Sequence, residues 1–349
     1  MVKKAEHIVV GISIGDLNGI GGEIILKTFD DARMLELCTP VIFGNAKVLS
    51  FAKKTIGSEV NLHGIDTIDQ LVPGRINVLN VWREHLDIHP GQNDPQAGAY
   101  AIKSFVAATQ ALRKGEVDVL VTAPINKSNI QSDEFKFPGH TDYLAQELEG
   151  SALMLMVHDG LRVGLLTDHV PVNQVASHLT EALVRQKIET IRQTLIQDFG
   201  ITRPKIAVLG LNPHAGDNGV IGKEDREVLQ PVIRKMFDQG TMVFGPFPAD
   251  GFFGSGQYEK YDAVIAAYHD QGLIPFKTLA FGKGVNYTAG LNRIRTSPDH
   301  GTAYDIAGKG TADHNSFKEA VYLAIDIFNM RAQHAEISQK PLKVKDKAH

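Results

Sequence analysis

LRVGLLTDH (161–169), IAVLGLNPH (206–214) and VIAAYHDQG (264–272) share one design: a short apolar run, a turn, then a histidine. Runs of four to eight apolar residues bounded by Gly, Pro and Asn read as buried strands of a parallel sheet. Ligands of such sheets bind in the crevice beyond the carboxyl ends of the strands. Three imidazoles delivered there, those of His169, His214 and His269, suit one divalent metal with a coordination position open for a substrate. A lone histidine at a strand end is ordinarily a hydrogen-bonded surface residue, and on spacing alone the two readings stand level.

Working outward, strand and helix signals alternate along the chain. Ile8–Ile14 is strand-like and runs into the Gly-rich turn 15–22, with a helix from about Glu23 to Arg33. Asp94-Pro95 opens a helix to about Lys114, with Asp as N-cap and Pro in the first turn. Val117–Thr122 is a strand, Thr180 caps a helix to about Gln197, and Lys223–Asp238 has helical composition. His158-Asp159-Gly160 between two apolar runs predicts a hairpin. Ser316 with Glu319 predicts a capping box for a helix from Phe317 to about Arg331. The alternation predicts an α/β fold with a mainly parallel sheet, made mixed by the hairpin. Pro341–His349 is polar, lysine-rich and expected to fray.

The chain has 349 residues, enough for two domains, and 43% hydrophobic with 22% charged residues is the composition of a globular protein. A formal charge of -4 without a basic stripe argues against a nucleic-acid partner. Cys38 is the single cysteine, which excludes internal disulfides and cysteine-rich zinc sites. No apolar stretch approaches membrane-spanning length, and the first residues lack the apolar core of a secretion signal. A cytoplasmic enzyme without a membrane partner is the expectation.

Lys277, Arg293 and Arg295, with Asn286 between them, follow His269 and offer the point charge and planar fork used on phosphates. Scattered cations are more often solvated surface charges. Thr141 in PGHTD (138–142) serves equally as a helix N-cap or, with His140, as an anion ligand at a helix N-terminus. The Gly15–Gly22 turn does not match the dinucleotide fingerprint and lacks the GK[ST] of a P-loop, so close packing explains it as well as binding does. Asp270 beside His269 is either a carboxylate that orients the ring or a turn cap.

Together, GDLNGIGGE (15–23), TAPINK (122–127), PGHTDYLA (138–145), LNPHAGDNG (211–219), GPFPAD (245–250), YHDQGLIPFK (268–277) and the long run 284–310 resemble the 4-hydroxythreonine-4-phosphate dehydrogenase family, over nearly the whole chain. The resemblance implies the isocitrate/isopropylmalate dehydrogenase-like fold, two α/β/α domains around a central cleft. Residues 1–127 and 283–340 would form the cofactor side, and 128–282 the metal, substrate and dimer side. It implies one divalent metal (zinc, magnesium or cobalt) on His169, His214 and His269, with His269 reaching the partner's site in a homodimer whose active site is shared. It further implies substrate contacts from His140, Thr141, Lys277, Asn286 and Arg295. Its loop His300, Gly301, Thr302 and Ala303 would hold NAD, with NADP the alternative. The implied activity is oxidation of 4-phosphohydroxy-L-threonine to 2-amino-3-oxo-4-phosphooxybutanoate, which decarboxylates to 3-amino-2-oxopropyl phosphate, in pyridoxal 5'-phosphate biosynthesis. The proton acceptor is unassigned, with Asp250 and Asp270 as candidates. GDLNGIGGE departs from the family's more usual GDPAGIGPE, and NPHAGDNG from NPHAGEGG, which leaves room for a shifted substrate. Related readings are dehydrogenases of D-threonate or D-erythronate 4-phosphate and, in a different class, a phosphate acyltransferase.

Overall fold

The computed structural model describes residues 7–132 and 135–339, so the expected frayed tail lies outside the described residues. Among the described residues twelve strands form one continuous sheet in the order β3-β4-β2-β1-β5-β12-β11-β6-β7-β10-β8-β9. Here β1 is Ile8–Ser13, β2 Cys38–Gly44, β3 Leu62–Ile65, β4 Ile76–Asn80, β5 Val119–Thr122 and β6 Gly150–His158. The remaining strands are β7 Leu161–Leu165, β8 Ile206–Leu209, β9 Val243–Phe247, β10 Ala263–Ala266, β11 Val285–Leu291 and β12 Ile294–Pro298. The pairs are parallel at both wings, as expected. At the centre, β11 runs antiparallel to β12 and to β6, and β6 antiparallel to β7. The two wings therefore point in opposite directions, and the reversal is made by the predicted hairpin, whose turn residue Asp159 has φ +43°.

Local chemistry sets the helices that frame this sheet. Asp94 Oδ1 accepts from the Gln96 amide at 2.8 Å and opens the helix Pro95–Lys114. Thr180 Oγ1 accepts from the Leu183 amide at 3.2 Å and opens Glu181–Gln197. The expected capping box at Ser316 is not formed. The last helix spans Asn315–Gln339, and Ser316 Oγ instead donates to the Gly284 carbonyl at 2.6 Å, tying the helix start to the entry of β11. Thr141 is likewise not an N-cap: its helix, His140–Glu147, starts after Gly139 with no side-chain cap. The glycine turn packs closely, since a methyl group on Gly21 would stand 2.3 Å from the Ile14 carbonyl oxygen. No helix among the described residues is long and apolar enough to cross a membrane.

The two faces of the sheet differ, and that difference positions the site. One face carries a single core that runs across the middle, with Val121, Leu155, Tyr287 and Ile294 under Phe317, Val321 and Ile188 of the flanking helices. On the other face the apolar residues divide into two clusters. One gathers Leu120, Phe105, Tyr143 and Leu144; the other gathers Met156, Val163, Leu165, Leu273 and Phe276. The gap between these clusters lies over β12, β11 and β6.

Candidate active site

A cavity fills that gap. Alternate residues of a strand face the same side of a sheet, so Thr122 of β5, Arg295 and Ser297 of β12, Asn286 of β11 and Met154 and Met156 of β6 all line it. This corrects the expected location: the floor is the face of three central strands, and only the rim comes from strand ends. The helix His269–Leu279 closes one side. It lies tight on the sheet because position 272 is glycine, where a methyl group would meet Ala266 Cβ and Leu165 Cδ2 at 2.9 Å. The helix His140–Glu147 closes the other.

Arg295 is 2% exposed, a charge in the floor itself. Its guanidinium donates to Thr122 Oγ1 at 2.6 Å and 3.1 Å, to Thr288 Oγ1 at 3.1 Å and to His140 Nδ1 at 3.0 Å. All of these partners are neutral, and among the described residues no carboxylate pairs with it. Burial pushes its pKa down to about 9, which leaves it charged at neutral pH. Burial, then Arg295 and Lys127, hold His140 well below the ordinary histidine range. Its Nδ1 is therefore an acceptor and the proton sits on Nε2, which has no partner. Asn286 Oδ1 and His300 Nε2 are also buried without partners. Buried polar groups are nearly always satisfied, so three orphans on one cavity wall mark the place of a polar ligand.

Of the three expected metal ligands, two stand together. The ring centroids of His169 and His269 are 6.1 Å apart on the cavity rim. Asp270 Oδ1 sits 2.7 Å from His269 Nδ1, which turns Nε2 outward. Burial, then Lys127, lower the pKa of His169, so its imidazole is neutral and keeps a lone pair. His214 does not line this cavity. It follows β8 in a run of left-handed residues, 214–218, with φ between +40° and +78°. The buried carboxylate of Asp225 fixes that loop by accepting from the amides of Leu211 and Asn212 at 2.7 and 3.1 Å. No group of three metal-ligating side chains is assembled among the described residues. His269 lines the cavity of its own chain.

Thr141, Lys277 and Gly301 line the cavity as expected, with Lys277 Nζ donating to the Asp299 carbonyl at 3.1 Å. Thr302 and Ala303 do not line it, and the Thr302 carbonyl accepts from the Ile20 amide at 3.1 Å. Asp250 is exposed outside the cavity, and Asp270 is committed to His269. Sequence reasoning missed Thr122, Lys127, Asp142, Met154 and Met156 on the wall. It also missed a network behind it: buried Asp16 Oδ2 accepts from Tyr304 Oη at 2.9 Å and Asn129 Nδ2 at 2.8 Å, and Asn126 Nδ2 donates to Tyr304 Oη at 3.0 Å. Burial raises the Tyr304 phenol to about 12, so it remains a donor.

Known proteins resemble this chain over most of its length. Residues 36–324 match the family model described as pyridoxal phosphate biosynthetic protein PdxA. The chain is 46% identical over 342 residues to a 4-hydroxythreonine-4-phosphate dehydrogenase of Bacteroides thetaiotaomicron, covering 97% of this chain and 94% of that protein. It is 37% identical to a D-threonate 4-phosphate dehydrogenase of Cupriavidus necator, covering 93% of this chain and 98% of that protein. The crystal structure of a 4-hydroxythreonine-4-phosphate dehydrogenase from Klebsiella pneumoniae superposes with a TM-score of 0.77 at 35% identity, covering 94% of this chain and 99% of that one.

Proposed function

Because the chain belongs to the PdxA family of pyridoxal phosphate biosynthetic proteins, we propose that it oxidises 4-phosphohydroxy-L-threonine with NAD. The observation that carries this reading is Arg295, a buried cation without a counter-ion among the described residues that opens, with three orphaned polar atoms, onto a cavity rimmed by two imidazoles. Arg295 and Lys277 take the phosphate, while His140 and Asn286 supply a donor and an acceptor to the rest of the substrate. Remote binding of this kind orients the reacting carbon several bonds away.

The donor set fits a divalent metal: the imidazoles of His169 and His269 stand together on the rim, and His269 is oriented by a carboxylate. The third imidazole, His214, lies outside the cavity of this chain, so a full set of three calls for a second subunit. Large apolar side chains support a homodimer through this region: Val172 (76% exposed), Val220 (81%) and Ile274 (64%) face solvent on the segments that carry the three histidines. The orphaned His300 Nε2 and the open space over Gly301 fit NAD at the rim. When bound, the metal would polarise the C3 hydroxyl and NAD would receive the C3 hydride. Oxidation at C3 makes a β-keto acid; its C1–C2 bond then breaks, carbon dioxide leaves, and a proton replaces it at C2. On this reading the domain division at 127/128 and 282/283 places the cleft between the wings, and the site is cytoplasmic.

The test is reduced-nicotinamide absorbance on mixing the protein with NAD, 4-phosphohydroxy-L-threonine and zinc, magnesium or cobalt. Turnover that a chelator abolishes, and sedimentation as a dimer, are the expected results. Because one relative is a D-threonate 4-phosphate dehydrogenase, D-threonate and D-erythronate 4-phosphates belong in the panel. A higher kcat/KM for either sugar acid overturns the substrate assignment. Acetyl phosphate consumption with coenzyme A and no nicotinamide signal would establish the acyltransferase reading instead.

A further inference from the structure

We propose that Lys127 is the ligand of the substrate's carboxylate and thereby restricts the site to acids; the inference rests on the substrate reading above. Among the described residues, three basic side chains line the cavity, Lys127, Lys277 and Arg295, beside the acidic residues Asp142 and Asp299. A phosphate monoester carries a charge of about -1.5 to -2 near neutrality, which Arg295 and Lys277 match. A carboxylate adds one more negative charge and leaves one cation, Lys127, to meet it. Its position agrees: Lys127 Nζ is 3.3 Å from His169 Nε2, at the imidazole end where the hydroxyl must react. In the substrate, the carboxylate hangs from the carbon next to the one that reacts.

The backbone around Lys127 is fixed in a way that a solvated surface lysine does not require. On one side Asn126 donates to Tyr304 Oη, and on the other Asn129 donates to buried Asp16. The Asp16 amide also donates to the Pro124 carbonyl at 2.8 Å, and the Ser128 amide to Asn126 Oδ1 at 2.9 Å. Among the described residues no carboxylate lies within 4.0 Å of Lys127, so its ammonium is free to take an anion from the ligand. An ammonium bound to a carboxylate favours that ion over neutral carbon dioxide. Lys127 therefore serves binding and orientation for the oxidation and not the cleavage of the C1–C2 bond.

The experiment is calorimetric titration of the full-length protein with 4-phosphohydroxy-L-threonine and with the analogue bearing hydrogen in place of the carboxylate, 3-amino-2-hydroxypropyl phosphate. A hydrogen bond between charged groups predicts that Lys127→Met weakens the acid about 10- to 100-fold. The same variant should leave the analogue unchanged, and Lys127→Arg should recover part of the loss. Equal weakening of both ligands, or of neither, overturns the role of Lys127 while leaving the substrate reading intact. Failure of the unaltered protein to bind either ligand overturns the substrate reading and this assignment with it.

Discussion

Replacing Arg295 by methionine is expected to raise thermal stability while lowering kcat/KM by about three orders of magnitude. The two effects share one cause. A guanidinium 2% exposed and surrounded by two threonines and a neutral histidine bears the cost of leaving water without the attraction of a counter-ion. Filling its place with an apolar side chain of similar length removes that cost, at the loss of the neutral hydrogen bonds to Thr122, Thr288 and His140. The substrate's phosphate is the missing partner, and truncating one side of a buried charged contact costs about 2–5 kcal/mol of binding. Melting curves and steady-state kinetics on the variant check both halves. A fall in melting temperature with unchanged kcat/KM would show that Arg295 is a structural residue. Arg295→Lys keeps the charge but not the fork, and recovers part of the activity at most.

Replacing Asp198 by alanine is expected to destabilise the fold by about 3–5 kcal/mol and to leave the kinetics of the folded fraction unchanged. Asp198 is 2% exposed, and its oxygens accept from Arg331 Nε at 2.6 Å and Tyr287 Oη at 2.6 Å. Arg331 also donates to Tyr287 Oη at 3.0 Å, which closes a triangle between the 181–197 helix, β11 and the last helix. Burial, then Asp198, push the Tyr287 phenol well above its usual range, so it stays protonated. Alanine would strand a buried cation and a buried hydroxyl together. Urea unfolding measures the loss, and a change below about 1 kcal/mol would mean that solvent reaches the triangle. The kinetics should not move, because Tyr287 points to the helical face of β11 and its neighbour Asn286 to the cavity.

That neighbouring pair also shows why the sequence was legible in some places and not in others. β1, β5, β8 and β10 are apolar on both sides and end in turn residues, so composition alone marks them. The caps at Asp94 and Thr180 act within three residues, and the Asp159-Gly160 turn is equally local. β11 and β12 gave no such signal. In VNYTAGL and IRTSP the cavity-facing positions are Asn286, Arg295 and Ser297, polar where a strand of this buried sheet is usually apolar. The features that make the floor functional hide it from a reading based on hydrophobic pattern. The helix His269–Leu279 was missed for a related reason: Gly272 and Pro275 read as breakers, although the glycine serves close packing and Pro275 is accommodated within the helix. His140, Lys277 and Arg295 were found from motifs, whereas Lys127 and Asp16 act through contacts with segments 42 to 288 residues away. No local pattern encodes those.

The floor on a sheet face also limits how this protein can diverge. Loops at the rim, such as the one carrying His300 and Gly301, can lengthen without disturbing the pairing of the strands. A single-residue insertion inside β11 or β12 would rotate every following side chain of that strand to the opposite side; at the start of β11 it would bury Asn286 among the helices and swing Tyr287 into the substrate's place. Drift in these strands is therefore confined to exchanges at fixed positions. On the floor itself, new ligand preferences arise by changing what stands at 154, 156, 286 or 297, one side chain at a time.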